Sequence, residues 1–525
     1  MKKALFILIF ALQAALLSAQ NVYISDICIT GNDVTKSYII LRELPFQSHQ
    51  TLSAQKLDTL MLRAKENLLN TTLFNYVTLT LTPIRTLEAS EPQGQNSFTH
   101  DRQAEQSSEN QRDVQNSFPH DGQAEQSSEN LQDVQGRKDE QAQREKQAEN
   151  LGFEAVVVNV NVEERWFVWP LFEIRLEDRN TTSWMKKMNW KRVTYLTGVN
   201  INNLFGVSQR LTVRGFLGWD TGVDLTYSKI ALDNKRKTFL TFRSYHLLNK
   251  SVEYITTDNK VRSLSSSRYN LRSSGTQATF TWRPHHRRTY SAALGYDVSK
   301  ITDTVLRENP LYWGVNSKVS RTISFNAEYV HDNRNWTCYP TEGTYFEAGL
   351  RLEESNGFDF SYAQATAEFQ YLKKLSNRWF VSTSLRGATS LYSNYSYIHT
   401  KAIGYNTANV TGYELYVIDG QSFITQNNSI KFLILPQKVV KLGFIPKWDK
   451  FNKPFFTIYG KLMFDWGYVW QNRKELNNSY SNSLLMGVGA CADIVSYYDI
   501  ILSLGYGVNN HGKGTFLFGF RAPIF

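Results

Sequence analysis

Few residues in this sequence are of a type that does covalent or metal chemistry, and their spacing speaks against that use. His331 stands beside Asp332, but neighbours on a strand point to opposite faces, so the pair forms no dyad there. His285-His286 follows Arg283-Pro284 in a basic run and reads as a solvated strand end. His100 and His120 occupy equivalent places in a polar repeat, which a duplicated solvated loop explains without a metal. Cys28, Cys338 and Cys491 are odd in number and far apart, leaving neither a disulfide framework nor a Cys-rich zinc site. No G-x-S-x-G elbow and no H-E-x-x-H helix occurs. The chain is therefore read as a non-enzyme, with no catalytic residue, no metal and no cofactor.

At 525 residues the chain has the length of three or four ordinary domains, although one large barrel can take up about 350 of them. Aromatic residues make up 14%, with 12 Trp, 28 Tyr and 31 Phe, yet the mean hydropathy is −0.40. The aromatic excess excludes wholesale disorder. A helical membrane bundle needs repeated apolar runs of about 20 residues, and none follows residue 19. The net charge of +10 includes Lys2 and Lys3. Its clusters, Lys186-Lys187, Lys235-Arg236-Lys237 and Arg287-Arg288, are short and scattered rather than gathered in one patch, so no nucleic acid partner is expected. A large β-rich soluble protein and an outer-membrane barrel remain.

Residues 1–19 read as a signal peptide. Met1-Lys2-Lys3 is a cationic start, Ala4 to Leu17 an apolar core too short to span a bilayer, and Ser18-Ala19-Gln20 a cleavage site. No cysteine follows the cut, so no lipoprotein anchor is expected. Residues 20–165 then spell a small α/β unit. Val22, Ile24, Ile27 and Ile29 mark a strand that ends at Gly31-Asn32. Thr35 is placed to cap a short helix through Ile39 and Ile40, stopped by Pro45. Ser53 caps a longer one carrying Leu57, Leu60, Met61, Ala64 and Leu68, with Leu52 and Leu57 as a staple. From Leu73 the period is two, and the last strand bears Val156, Val158, Val160 and Val162 on one face. Between these strands lies a polar insertion, residues 87–150, in which Asn96-to-Gln115 recurs as Asn116-to-Gln135. It holds too little apolar surface to offset the entropy of ordering and is expected to be disordered.

Residues 166–525 show period-two alternation, as in Thr238-Phe239-Leu240-Thr241-Phe242, Thr279-Phe280-Thr281-Trp282 and Ala363-to-Tyr371. Turns are expected at Asp233-Asn234, Ser273-Ser274-Gly275, Arg283-Pro284 and Asn510-His511-Gly512, with Ser496-to-Gly505 as one loose strand. These 360 residues divided among sixteen strands leave about 22 for each strand and its connection, a suitable length for a membrane barrel. The expected fold class is a membrane β-barrel of sixteen antiparallel strands preceded by one α/β module.

Strand, two helices, strand, strand is the order of a POTRA domain. Gly31-Asn32, Leu41-Arg42-Glu43-Leu44-Pro45-Phe46 and Thr72-Leu73-Phe74-Asn75-Tyr76-Val77 are similar to that family's turn, helix end and helix-to-strand passage. In the barrel, Asp332, Arg334, Pro340 and Gly343 resemble the D-R…P--G hairpin of the BamA/TamA-type outer-membrane assembly superfamily. Val410-Thr411-Gly412-Tyr413 falls where that family carries V-R-G-F/Y on a loop folded into the lumen. Phe464, Asp465 and Gly467 resemble its inward-facing F-x-D-x-G strand, less one spacer. In relatives the loop arginine pairs with the aspartate. Here Thr411 takes its place, which implies a weaker hydroxyl–carboxylate bond. Val213-Arg214-Gly215-Phe216 spells the motif but lies in an early strand and is read as coincidence. The terminal stretch with Phe516, Phe518, Phe520 and Phe525 resembles the family's C-terminal signal and would be the last seam strand, the first running from Trp166 to Glu177.

The resemblance implies a protein of the bacterial outer membrane with its POTRA domain in the periplasm. It would assist insertion and assembly of other outer-membrane proteins by strand addition and a lateral seam. Its partners would be unfolded outer-membrane or secreted clients, the lipid bilayer, and periplasmic accessory proteins or lipoproteins. The alternative is a two-partner-secretion-like translocator that passes a polypeptide through the lumen.

Overall fold

The computed structural model describes residues 21–84, 154–176, 190–405, 408–441, 451, 453–472 and 478–522. The signal segment, the insertion with His100 and His120, and Phe525 lie outside the described residues. The chain divides into two compact units. The first takes Pro45–Leu62 with the described parts of Met1–Thr30 and Thr78–Asn161, and the second takes Gly31–Leu44, Arg63–Val77 and the described parts of Val162–Phe525.

The N-terminal elements are β1 (Asn21–Thr30), α1 (Ser37–Glu43), β2 (Gln50–Ser53), α2 (Ala54–Asn70), β3 (Phe74–Pro83) and β4 (Glu154–Glu164). The strands form one sheet in the order β2-β1-β4-β3, with β1 parallel to β4 and antiparallel to β2. Val156, Val158, Val160 and Val162 are buried, as their alternation requires, and so are Leu57, Ala64 and Leu68 at helical spacing. Strand β2 was not expected; it is four residues long and ends on Ser53, directly before α2. The expected cap at Thr35 is not formed. Lys36 holds the cap position of α1 and no side chain bonds there. Thr35 instead donates its backbone N–H to the Glu164 carboxylate at 2.6 Å, and its hydroxyl accepts from Asn203 Nδ2 at 2.8 Å. A buried carboxylate is the stronger acceptor, and the hydroxyl is already occupied.

The first strands of the second unit are β5 (Val168–Leu176), β6 (Val193–Leu204), β7 (Gln209–Gly218), β8 (Thr221–Ala231) and β9 (Thr238–Asn249). A hairpin of β10 (Ser251–Thr257) and β11 (Lys260–Ser265) follows, then β12 (Leu271–His285), β13 (Arg288–Ile301), a helical turn α3 (Asp303–Glu308) and β14 (Val319–Asp332). Next come β15 (Gly343–Ser355), β16 (Phe360–Lys374), β17 (Trp379–Tyr392), and two short strands, β18 (Lys401–Ile403) and β19 (Ile418–Asp419). The last are β20 (Ser422–Val439), β21 (Phe455–Trp470), β22 (Leu484–Ser496), β23 (Ile501–Asn509) and β24 (Gly514–Arg521). Leaving out β10, β11, β18 and β19, they make one sixteen-stranded antiparallel sheet in sequence order from β5 to β24.

Alternation builds the wall. Leu294, Tyr296, Leu462, Phe516 and Phe518 point outward and are exposed, whereas Asp465 and Asp493 on the inner face are buried. Among the described residues no helix is long and apolar enough to cross a membrane. Two expected turns lie inside β12 instead. Gly275 is a strand residue because Tyr245 and Asp297 lie over it: a Cβ there would come within 1.9 Å of Asp297 Oδ1. Pro284 sits where the β12–β13 register breaks between Trp282 and His285, so its missing N–H removes no ladder bond. The stretch Ser496-to-Gly505 is interrupted by a turn at 497–499, with Tyr498 and Asp499 at φ of 58° and 60°. Among the described residues β5 pairs only with β6, and β24 only with β23. Among the described residues the expected cylinder therefore shows no backbone ladder between its first and last strands.

Candidate functional site

The connection between β17 and β20, residues 393–421, folds against the inner face of β20 to β23. Ile403, Val410, Tyr413 and Ile418 from the loop pack with Phe423, Val469 and Leu485 from the wall, all buried. At its tip Thr411 donates to Asp465 Oδ2 twice, from its hydroxyl at 2.5 Å and its backbone N–H at 3.2 Å. The other oxygen, Asp465 Oδ1, accepts the Asn428 N–H at 3.2 Å. Gly412 adopts φ +84°, a left-handed conformation suited to glycine, and its carbonyl accepts from Asn509 Nδ2 at 2.9 Å. Tyr413 donates its hydroxyl to Asn510 and meets the Tyr480 ring edge-on at 5.3 Å.

The tip can lie this close because glycines stand in the wall directly beneath it. A Cβ on Gly487 would sit 1.7 Å from the Thr411 carbonyl oxygen, and one on Gly467 would sit 2.9 Å from Val410. The period-two pair Gly487-x-Gly489 on β22 was the sequence signal for this trough, and the sequence reading passed over it. Phe464 does not belong to the inward set. It lies one residue from Asp465 and so faces outward, 45% exposed, while Met463 shares the inner face. The missing spacer residue in the motif has exactly that consequence for side-chain direction.

Residues 333–342 connect β14 to β15. Arg334 forms an ion pair with Asp332 at 2.6 Å and its guanidinium lies 4.2 Å from the Tyr345 ring centre. Gly343 takes φ +113°, and a Cβ there would strike the Asn333 carbonyl. The hairpin reaches across to late strands. Tyr339 donates to Asp493 Oδ2 at 2.8 Å, Lys461 pairs with the same oxygen at 3.0 Å, and Ser503 donates to Oδ1 at 2.6 Å. The Pro340 carbonyl accepts from Lys431 Nζ at 3.1 Å. Cys338, Tyr339, Phe380, Tyr459, Val495 and Ile501 form a buried cluster beside it.

His286 is not a solvated strand end. Its Nδ1 lies 3.3 Å from Glu43 Oε2, and Arg283 pairs with both Glu43 oxygens at 3.1 Å. Glu43 is fully buried at the end of α1 and also pairs with Arg42 at 2.7 Å. Burial alone would raise its carboxyl; the Arg283 charge, the His286 contact and Arg42 reverse this and hold it well below the usual carboxylate range. No sequence pattern joins positions 43, 283 and 286.

The three motif groups are thus not gathered at one point. The loop tip and Asp465 meet, the hairpin docks separately on Asp493, and Phe516, Phe518 and Phe520 stand on the outer face of β24, exposed by 87, 74 and 57%. They share one sheet, with two inward-folded segments and, among the described residues, two unpaired edges.

Residues 203–431 match the Omp85 superfamily domain, and residues 22–96 match the surface antigen variable number repeat, the POTRA domain. No curated protein matches the sequence. Among solved structures the chain is similar to BamA from Haemophilus ducreyi lacking POTRA domains 1-3, at 14% identity and a TM-score of 0.45, covering 95% of this chain and 83% of that one. It is also similar to CdiB from Escherichia coli, at 12% identity and a TM-score of 0.45 over 96% and 74% of the two chains. CdiB from Acinetobacter baumannii gives 12% identity and a TM-score of 0.42 over 95% and 73%.

Proposed function

We propose, from the premise that this chain carries an Omp85 superfamily domain preceded by a POTRA domain, that it assists the insertion and assembly of other outer-membrane proteins. It does so from the bacterial outer membrane, with the POTRA domain in the periplasm. The observation that carries the reading is that, among the described residues, the outer edges of β5 and β24 are unpaired. An edge strand presents a row of free N–H and C=O groups, and in lipid each unmet group costs several kcal/mol. A client strand entering between the two edges satisfies both rows and is held by main-chain bonds whatever its sequence. The edge strand β2 of the small sheet offers the same kind of contact before the membrane is reached.

The inward-folded segments support a lateral route. The loop tip at Val410 to Tyr413 and the hairpin at Trp336 to Pro340 occupy the inside of the wall, so a polypeptide crossing the lumen must displace buried contacts. Their role is to hold that space shut while the seam works. Depletion in the native host followed by a census of outer-membrane proteins tests the reading. Broad loss of barrel proteins is expected. Loss of one secreted product, with conductance that the product blocks in planar bilayers, favours the two-partner-secretion-like translocator instead.

A further inference from the structure

The beginning of β5 and the end of β24 are joined by a path of polar contacts, although among the described residues the strands themselves share no ladder. Arg165, three residues before β5, places Nη1 2.7 Å from Asp499 Oδ2, with both side chains nearly buried. Its Nε donates to the Phe74 carbonyl at 2.9 Å. The Asp499 carbonyl accepts the Cys338 thiol at 3.1 Å, and the Cys338 carbonyl accepts from Arg521 Nη1 at 3.4 Å. Arg521 is the last residue of β24. The path therefore runs from the start of one edge strand to the end of the other through two turns.

Aromatic rings reinforce the first half of this path. Tyr498 accepts the Trp166 N–H at 3.2 Å, packs edge-on against Trp169 at 5.0 Å and stacks on Phe451 at 5.3 Å. The Arg165 guanidinium lies 5.8 Å from the Tyr498 ring centre. Tyr498 and Asp499 are both held in the left-handed region, which is strained for residues with a side chain and persists only where the surroundings demand it. What that strain achieves here is to aim one ring and one carboxylate at the residues leading into β5.

We propose that Arg165 and Asp499, with the Cys338 turn as the intermediate, are positioning residues that tether the two seam strands at this end, so that the seam opens as a gap hinged there. This rests on the reading of β5 and β24 as the working seam. With the tether intact, opening widens toward the opposite end while the entry side keeps a fixed separation. Without it, the two edges drift apart along their whole length and no longer present a client with two rows at bonding distance.

The test is a spin-label distance between positions 172 and 518, both exposed on the outer face, measured in client-free liposomes. Cys28 and Cys491 are replaced by Ser, and buried Cys338 is left in place. A second label pair at 294 and 323, on β13 and β14, is the control. Arg165→Gln and Asp499→Asn are expected to lengthen the seam distance by about 5 Å or more, one strand spacing, with the control pair unmoved. Arg165→Lys is expected to restore the parent distance. Cys338→Ala cuts the path without altering a charge and is expected to move the distance the same way by less, which keeps the test open where a charge variant fails to fold. An unchanged seam distance, or equal lengthening of both pairs, overturns the proposal. Because no client is present, these outcomes stand apart from the depletion census, whose failure overturns the assembly reading alone.

Discussion

Thr411 and Asp465 meet through two hydrogen bonds to one carboxylate oxygen, one from a hydroxyl and one from the backbone. The backbone bond does not depend on the side chain, so any residue but proline at 411 keeps one of the two bonds to Asp465. That is how the loop is seated without the arginine of the resembling family.

A double-mutant cycle measures the pair. Thr411→Val and Asp465→Asn are expected to show coupling of about 1.5–3 kcal/mol, the range for a hydrogen bond to a charged group. Asp465→Ala is expected to loosen the loop less here than in an arginine-bearing relative, read by heat-modifiable migration and loop proteolysis. Thr411→Arg is not expected to help, since the Thr411 methyl already fills the space above Gly489 and Gly507. Stabilisation by that arginine would show that the trough is wider than the geometry allows.

Gly487→Ala tests the seat itself. The added methyl would meet the Thr411 carbonyl at 1.7 Å, a backbone atom that has no rotamer in which to escape. Overpacking of this kind costs roughly 1–3 kcal/mol. The expected result is a partly unseated loop, seen as larger and noisier conductance in planar bilayers. Gly215→Ala, whose nearest contact would be 3.7 Å, is the matched control and is expected to conduct like the parent. Identical behaviour of the two variants would mean that the loop does not limit the pore.

The strand pattern was legible because outward and inward residues alternate; length suited sixteen strands without excluding fourteen or eighteen, and the sheet itself sets the number. Turn placement was less legible. Ser273-Ser274-Gly275 has turn composition, but it lies within β12, where the bare Gly275 leaves room for the Tyr245 and Asp297 side chains of the neighbouring strands. The Asp465 contact was readable from motif spacing, whereas Phe464 was misplaced because a deleted spacer reverses side-chain direction. Glu43–Arg283 and Arg165–Asp499 join positions 240 and 334 residues apart and leave no periodic trace. Only the folded sheet brings them together.

Glu43→Gln removes the charge that Arg42, Arg283 and His286 face. Breaking a buried pair from one side costs about 3–5 kcal/mol, because the remaining cations lose their partner. Hydrogen exchange at Ile39 and Ile40 in α1 is expected to speed accordingly. A carboxyl whose folded value is lowered contributes stability that is complete above its unfolded value of about 4.3 and is lost as pH falls toward the folded one. Protection of α1 is therefore expected to stay level from pH 7 to 5 and to fall only in stronger acid. A decline already complete by pH 5 would assign the anchor to another group.

Asp493 is the shared acceptor of Tyr339, Lys461 and Ser503, and the order of effects among variants tests whether it organises the hairpin dock. Tyr339→Phe removes one bond to a charged group and is expected to cost about 1.5–3 kcal/mol, confined to residues 333–342. Lys461→Met leaves the buried carboxylate with uncharged partners only, the Tyr339 and Ser503 hydroxyls and the Cys491 thiol, and is expected to cost more, about 3–5 kcal/mol. Adding Asp493→Leu to Lys461→Met removes the stranded charge and is expected to recover part of that loss, since a well-packed apolar pair replaces a buried ion pair at little cost. The midpoint of heat-modifiable migration in detergent ranks the three. Should the double variant be the least stable, Asp493 would be holding the hairpin by its hydroxyl bonds rather than by its charge.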